Sequence, residues 1–158
     1  MMNSERLYMF NPWKIKEWTN EQVKEQFEKL TSTYIVDPVA PSQLAINIEN
    51  LANQLYLLGE MIARLSKDVN VSKAEIKNEE SKYIYKTRNA WVETNGGKVP
   101  AMSYFEALAS EFVKNERTEL AKLESDYKRF TVAYNALESK MNAVKKRLDA
   151  MKYEEFGV

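Results

Sequence analysis

The chain has 158 residues, no Cys and no His, and its 23 Lys and Arg residues balance its 23 Asp and Glu residues. Without Cys or His it cannot form a Cys/His nucleophile pair, a Ser-His-Asp triad, a thiolate or imidazole metal site, or a disulfide. We therefore predict a non-enzyme, and because the net charge is zero, any polyanion would have to bind a local basic patch.

Residues 1–40 are interpreted as an N-terminal region that consists of an aromatic-rich arm and one short helix. Residues 1–13 lack the basic and apolar segments of a secretion signal, and no apolar run in the chain is long enough to cross a membrane, so we expect a soluble intracellular protein. Thr19 and Gln22 have the spacing of a capping box, which predicts the start of the helix. One face of this helix carries Val23, Phe27 and Leu30. Residues 34–36 are the one strand candidate, and three residues are too few to predict a strand.

Apolar residues then alternate at spacings of four and three, which predicts one long helix from about Ser42 to Val92. They are Leu44, Ile48, Leu51, Leu55, Leu58, Ile62, Leu65 and Val69. Pro41 favours a helix start at this point. The polar stretch around Asn70 leaves open whether the helix kinks there.

Residues 94–102 contain two glycines and Pro100, a composition that is typical of a turn. Ser103 and Glu106 form a second capping-box pattern, and a second long helix is predicted to run from Ser103 to Glu154. Its apolar residues also step by three and four. They are Leu120, Leu123, Tyr127, Phe130, Tyr134, Leu137, Met141, Val144, Leu148 and Met151.

The predicted fold class is all-α. Residues 41–158 are expected to form a long antiparallel helical hairpin with its turn at about 94–102, because the two helices are matched in length at about 75 Å each. Two helices cannot enclose a globular core, so much of both apolar stripes is expected to face outward unless other copies of the chain cover it. We therefore expect a homo-oligomer, which a neutral net charge does not oppose.

The stretch from residue 82 to residue 98 has four basic residues and one acidic residue, which is the clearest local basic excess in the chain. Cations that track a phosphate backbone, together with faces on which unpaired bases stack, are what sequence-tolerant single-strand binding requires. The candidate nucleic-acid-binding residues are Lys82, Tyr85, Lys86, Arg88, Trp91 and Lys98. The alternative is that Tyr83 and Trp91 belong to the core and that the lysines form a solvated helix face.

Three other groups of residues are interpreted as structural. Basic residues near the C terminus complement the dipole of a helix end; they are Lys140, Lys145, Lys146, Arg147 and Lys152. The N-terminal aromatic residues are expected to pack on the bundle or on a neighbouring subunit; they are Tyr8, Phe10, Trp13 and Trp18. Glu116 and Glu119 have the spacing of half a Mg²⁺ site of the all-helical nucleotide pyrophosphatases, but they lack a clear second carboxylate pair.

Several sequence features follow one another in a fixed order along this chain. They are a Lys-x-Arg motif, an aromatic residue, a glycine loop, and a second helix that begins near a Tyr and ends in an Ala/Lys/Arg-rich stretch. They consist of Lys86-Thr87-Arg88, Trp91, Asn95-Gly96-Gly97, Tyr104 and Ala143-Val144-Lys145-Lys146-Arg147. This order resembles that of the UvsY-type recombination mediators of tailed phages, over roughly residues 51–152. The aromatic-rich N terminus before Asp37 and the neutral net charge depart from the family pattern.

The resemblance implies a homo-oligomeric ring of helical hairpins in the cytoplasm of a phage-infected bacterial host. Such a ring would bind single-stranded DNA, with Lys86 and Arg88 on phosphate, and help a RecA-like recombinase displace single-strand-binding protein. It implies no cofactor and no membrane partner. Two other functions stay open: a phage helical protein that sequesters a cyclic nucleotide signal, which needs the same residue types, and a non-catalytic coiled-coil adaptor.

Overall fold

The computed structural model of the chain describes residue 15, residues 17–32 and residues 41–156. These residues form four helices and no strand, so the predicted all-α fold is confirmed for them. The helices are α1 (Asn20–Ser32), α2 (Pro41–Asn95), α3 (Met102–Phe112) and α4 (Lys114–Phe156). None of them is long and apolar enough to cross a membrane. The strand candidate at 34–36 and the aromatic residues Tyr8, Phe10 and Trp13 lie outside the described residues.

The chain divides into two compact units, and α2 and α4 contribute to both. The first unit contains the chain up to Leu65 and from Tyr127 onward, and the second contains Ser66–Asp126. The segments of α2 and α4 pack antiparallel, as the predicted hairpin requires. The six candidate nucleic-acid-binding residues all fall in the second unit.

Helix α1 begins at the predicted capping box. The backbone N–H of Thr19 donates to Oε1 of Gln22 at 2.8 Å, and the backbone N–H of Gln22 donates to Oγ1 of Thr19 at 3.2 Å. This reciprocal pair satisfies two N–H groups that the first turn of a helix leaves without partners. Val23 and Phe27 are buried, so the predicted apolar face is the face that packs.

An aromatic pair attaches α1 to α4 within the first unit. The rings of Phe27 and Phe130 stack with centroids 4.0 Å apart, and the guanidinium of Arg129 lies 4.6 Å from the centroid of Phe27. Arg129 also pairs with Glu28 of α1. Helix α1 is therefore attached to α4 by apolar packing and by charge at the same place.

The apolar stripe of α2 is buried within the chain, so the expectation that much of it faces outward is wrong for the described residues. Leu44 and Leu51 form a buried cluster with Val144 of α4. The partly buried side chains packed on this cluster are Ile48, Leu137, Met141, Leu148 and Met151. Because α4 packs along the stripe, the stripe itself gives no argument for a second copy.

Helix α2 runs without interruption through Asn70. It ends at Asn95, and Gly96 follows with φ of +54°. The N–H of Gly96 donates to the carbonyl of Val92 at 3.2 Å, which is the hydrogen bond of a left-handed helix cap. A glycine is required there because the left-handed region is costly for other residues.

The predicted second helix is two helices, so that prediction is wrong in one respect. A break at Val113, with φ of −98° and ψ of 18°, separates α3 from α4. The buried residues of α3, Phe105 and Ala109, lead to buried Val113 in steps of four, whereas the stripe of α4 steps by three and four. At 100° per residue both series fall on one face of a helix, so the spacing of the apolar residues does not explain the break.

The predicted capping box at Ser103 is also wrong. Helix α3 begins one residue earlier, and its N-cap is Ala101, which has no side chain able to cap. Instead, the backbone N–H of Tyr104 donates to the carbonyl of Ala101 at 3.0 Å. The extended residue after Pro100 therefore starts the helix through its backbone alone.

Candidate nucleic-acid interface

The candidate residues lie in the last third of α2 and in the loop that follows it. Since α2 is regular up to Asn95, spacing along the sequence determines which side chains are neighbours. Lys82 and Tyr85 are three positions apart, and so are Tyr85 and Arg88. These three residues form a row on the helix surface with the aromatic ring between two cations; we call it the Tyr85 row.

Tyr85 supplies the solvent-exposed aromatic ring of the row. Its exposed fraction is 71%, the largest among the exposed large apolar and aromatic residues of the described chain. A Tyr ring that is exposed on this scale leaves a π-face free for another planar group. The structure therefore provides a stacking surface at Tyr85.

Lys86 and Arg88 do not converge on one point. Residues two positions apart lie about 200° apart around a helix axis, so Lys86 lies beside Lys82 on one side of Tyr85 and Arg88 lies on the other. The aromatic ring of Tyr85 therefore has positive charge on both sides. A ligand that contacts all three cations must therefore be extended across the helix surface.

The cations of the site are exposed and only one of them is paired. Lys82 Nζ lies 3.0 Å from Oε1 of Glu79, with both side chains more than half exposed. An exposed pair of this kind contributes little stability and is readily exchanged. Among the described residues, Lys86, Arg88 and Lys98 have no ion-pair partner, so three of the four charges are available to an anion.

Trp91 has a different environment from Tyr85. It is half-buried, and its ring meets Tyr104 edge to face at 6.0 Å and 70°. Its Nε1 is buried and finds no acceptor within the described chain. Tyr83 is also used internally, because its ring stacks on Phe112 with centroids 4.3 Å apart. Tyr83 and Trp91 are therefore both partly buried and pack on aromatic rings of α3.

Lys98 lies in the loop between α2 and α3 and is exposed. It is separated from the Tyr85 row by the left-handed cap at Gly96. The structure gives no contact that places it against Lys82, Tyr85 or Lys86. Its charge adds to the basic character of this end of α2 without joining the row.

The carboxylates of the described residues do not form a metal site. No group of three or more Asp and Glu residues within that part of the chain could hold a metal ion. Glu119 instead pairs with Lys122 at 2.6 Å on its own helix. Of the C-terminal basic cluster, Lys145 and Lys146 are exposed on α4.

A ridge of exposed apolar residues on α3 did not enter the sequence prediction. Tyr104, Leu108 and Phe112 are spaced by four residues and are all exposed. The spacing is readable in the sequence, but the same helix also has buried residues at Phe105 and Ala109, and periodicity alone does not separate the two faces.

Comparison of the chain with protein-family models, curated proteins and solved structures finds no match. A hypothesis about function therefore depends on the geometry of the Tyr85 row and on the resemblance of the sequence to the UvsY-type order of motifs.

Proposed function

We propose that this chain binds single-stranded nucleic acid through the Tyr85 row and Lys86. The observation that carries the proposal is the 71% exposed ring of Tyr85 with Lys82 and Arg88 as its neighbours on the helix surface. A structural role explains a buried aromatic residue better than an exposed one. Base stacking explains an exposed ring between cations.

The chemistry of binding follows from these side chains. Lys82, Lys86 and Arg88 neutralise phosphates, and an unpaired base stacks on Tyr85, which contributes about 1–3 kcal/mol per base in such sites. Stacking and phosphate contacts do not distinguish one base from another, so sequence preference is weak. Phosphate contacts release counterions, so affinity falls steeply as salt rises.

The cellular role that we propose is that of a recombination mediator. The resemblance to UvsY-type proteins supports single-stranded DNA as the nucleic acid, with a RecA-like recombinase and single-strand-binding protein as partners. A homo-oligomer would place several rows along one strand, and the summed weak contacts would give useful avidity. The proposed role needs no cofactor.

Equilibrium titration of fluorescent oligo-dT with the purified chain, at two salt concentrations, tests the proposal. We expect binding at low salt that weakens strongly at the higher concentration. A parallel panel of cyclic nucleotides separates the alternative ligand, which shares the phosphate and the base. Binding of a cyclic nucleotide without binding of oligo-dT would replace the proposed function.

A further inference from the structure

The three cations of α2 in the proposed nucleic-acid site differ in their acidic neighbours on the helix. The nearest neighbours of a residue on a helix surface lie three and four positions away. For Lys82 one of these positions is Glu79, whereas for Lys86 and Arg88 none of them is acidic. One of the three cations therefore has a carboxylate within one turn, and the other two do not.

Glu79 and Lys82 are in direct contact. Nζ of Lys82 donates a hydrogen bond to Oε1 of Glu79 at 3.0 Å. The pair is open to solvent, since 63% of the Lys82 side chain and 51% of the Glu79 side chain remain exposed. Because an ion pair in water is weak, an incoming phosphate is able to displace this carboxylate from the ammonium group.

The carboxylate has a clear electrostatic role when no ligand is bound. Lys82 and Lys86 are four positions apart, so their like charges repel each other on the helix surface. The negative charge of Glu79 offsets part of that repulsion. A phosphate between the two lysines would supply the same negative charge, so the carboxylate and the ligand have the same function at this point.

We propose that Glu79 is an internal competitor of the nucleic acid: its carboxylate holds Lys82 in the free chain and is exchanged for a phosphate on binding. This inference rests on the proposed function, because it concerns the regulation of affinity at the same site. Lys86 and Arg88 contact phosphate without releasing a carboxylate. Glu79 therefore lowers the affinity of the site through Lys82 alone.

The variant Glu79→Gln tests this inference, since it removes the charge and keeps the size and the helix propensity of the side chain. We expect oligo-dT to bind about threefold more tightly at low salt, or about 0.7 kcal/mol. The gain should shrink as salt rises, because each phosphate contact makes binding more sensitive to salt. Unchanged or weaker binding at low salt would overturn the proposal.

Glu119→Gln is the matched control. Glu119 pairs with Lys122 on α4 at the same spacing of three residues, at 2.6 Å, with both side chains more than half exposed. This variant changes the net charge of the chain by the same amount as Glu79→Gln and should leave oligo-dT binding unchanged. Equal tightening by the two variants would mean that net charge alone is responsible, which would overturn the exchange at Lys82.

A double-mutant cycle separates exchange at Lys82 from repulsion of the strand by the carboxylate. In a chain that already carries Lys82→Ala, Glu79→Gln is expected to lose most of its effect, because no ammonium group is left to release. A full threefold gain in that background would show that the carboxylate repels the strand directly, and the proposed competition would be wrong.

The inference and the proposed function fail separately in these titrations. If the unchanged chain binds oligo-dT and Glu79→Gln binds it equally well, the competition is wrong and the nucleic-acid site stands. If neither chain binds oligo-dT, both proposals are wrong. Circular dichroism checks that each variant keeps its helices.

Discussion

Exposure decides which aromatic residues near the end of α2 are able to stack on a base. Tyr83, Tyr85 and Trp91 all lie within three turns, and composition alone treats them alike. The helix places Tyr83 and Trp91 against Phe112 and Tyr104, and it leaves Tyr85 open. The sequence could locate the basic aromatic segment, but only packing partners from distant positions distinguish an exposed ring from one that packs within the chain.

Replacement of Tyr85 by Ala is expected to weaken oligo-dT binding by about tenfold, because one stacked base is lost. Tyr153→Ala is the matched control, since Tyr153 is a similarly exposed tyrosine (66%) on α4. Fluorescence anisotropy at fixed salt measures both dissociation constants. If the two variants bind equally well, Tyr85 is not the stacking surface.

Two glycines are expected to respond to alanine in opposite directions. Gly59 lies within α2, where a Cβ would lie 3.7 Å from a ring carbon of Tyr134, an ordinary contact. Gly59→Ala should therefore raise the free energy of unfolding by about 0.5–1 kcal/mol. Gly96 has φ of +54°, so Gly96→Ala should lower the free energy of unfolding by about 1–2 kcal/mol.

Urea denaturation of both variants measures these differences. A gain in stability for Gly96→Ala would contradict the left-handed cap, and a loss for Gly59→Ala would mean that α2 and α4 approach more closely at that point than the structure has them.

The helices show which sequence patterns determine structure at the scale of elements. The stripe of α2, the capping box at Thr19 and the turn after Asn95 were predictable because each depends on neighbouring residues only. The break at Val113 was not, since the apolar positions on both sides of it fall on one face of a continuous helix. The start of α3 at Ala101 was missed because a backbone hydrogen bond replaces the expected side-chain cap.

The stacked pair of Phe27 and Phe130 is an apolar part of the attachment of α1 to α4. Phe27→Ala removes a buried ring that stacks on Phe130, and we expect a loss of about 3–5 kcal/mol in the free energy of unfolding. Tyr56→Ala, an exposed aromatic position on α2 in the same unit, should change it by less than about 0.5 kcal/mol. Thermal or urea unfolding that gave equal losses would contradict the packing of α1 on α4.

At the scale of the whole molecule the charges cancel, so the proposed binding of an anion requires a local basic patch. The 23 basic and 23 acidic residues cancel. Exposed pairs form both within one helix, such as Lys29 with Glu25, and between helices, such as Lys73 with Glu124. The end of α2 departs from this pattern because Lys86 and Arg88 lack acidic partners among the described residues. The local excess was predictable from the sequence, whereas the exposure and ion pairing of each charge required the structure.

The dissociation constant of the Lys86→Ala, Arg88→Ala double variant for oligo-dT tests the central claim most directly. The change removes one cation from each side of Tyr85, and we expect binding at least about tenfold weaker, or about 1.4 kcal/mol, with a smaller dependence on salt. Lys145→Ala with Lys146→Ala removes the same charge from exposed positions of α4 and should leave binding nearly unchanged. Wild-type affinity in the Lys86, Arg88 variant, or equal losses in both double variants, would contradict a nucleic-acid site at the Tyr85 row.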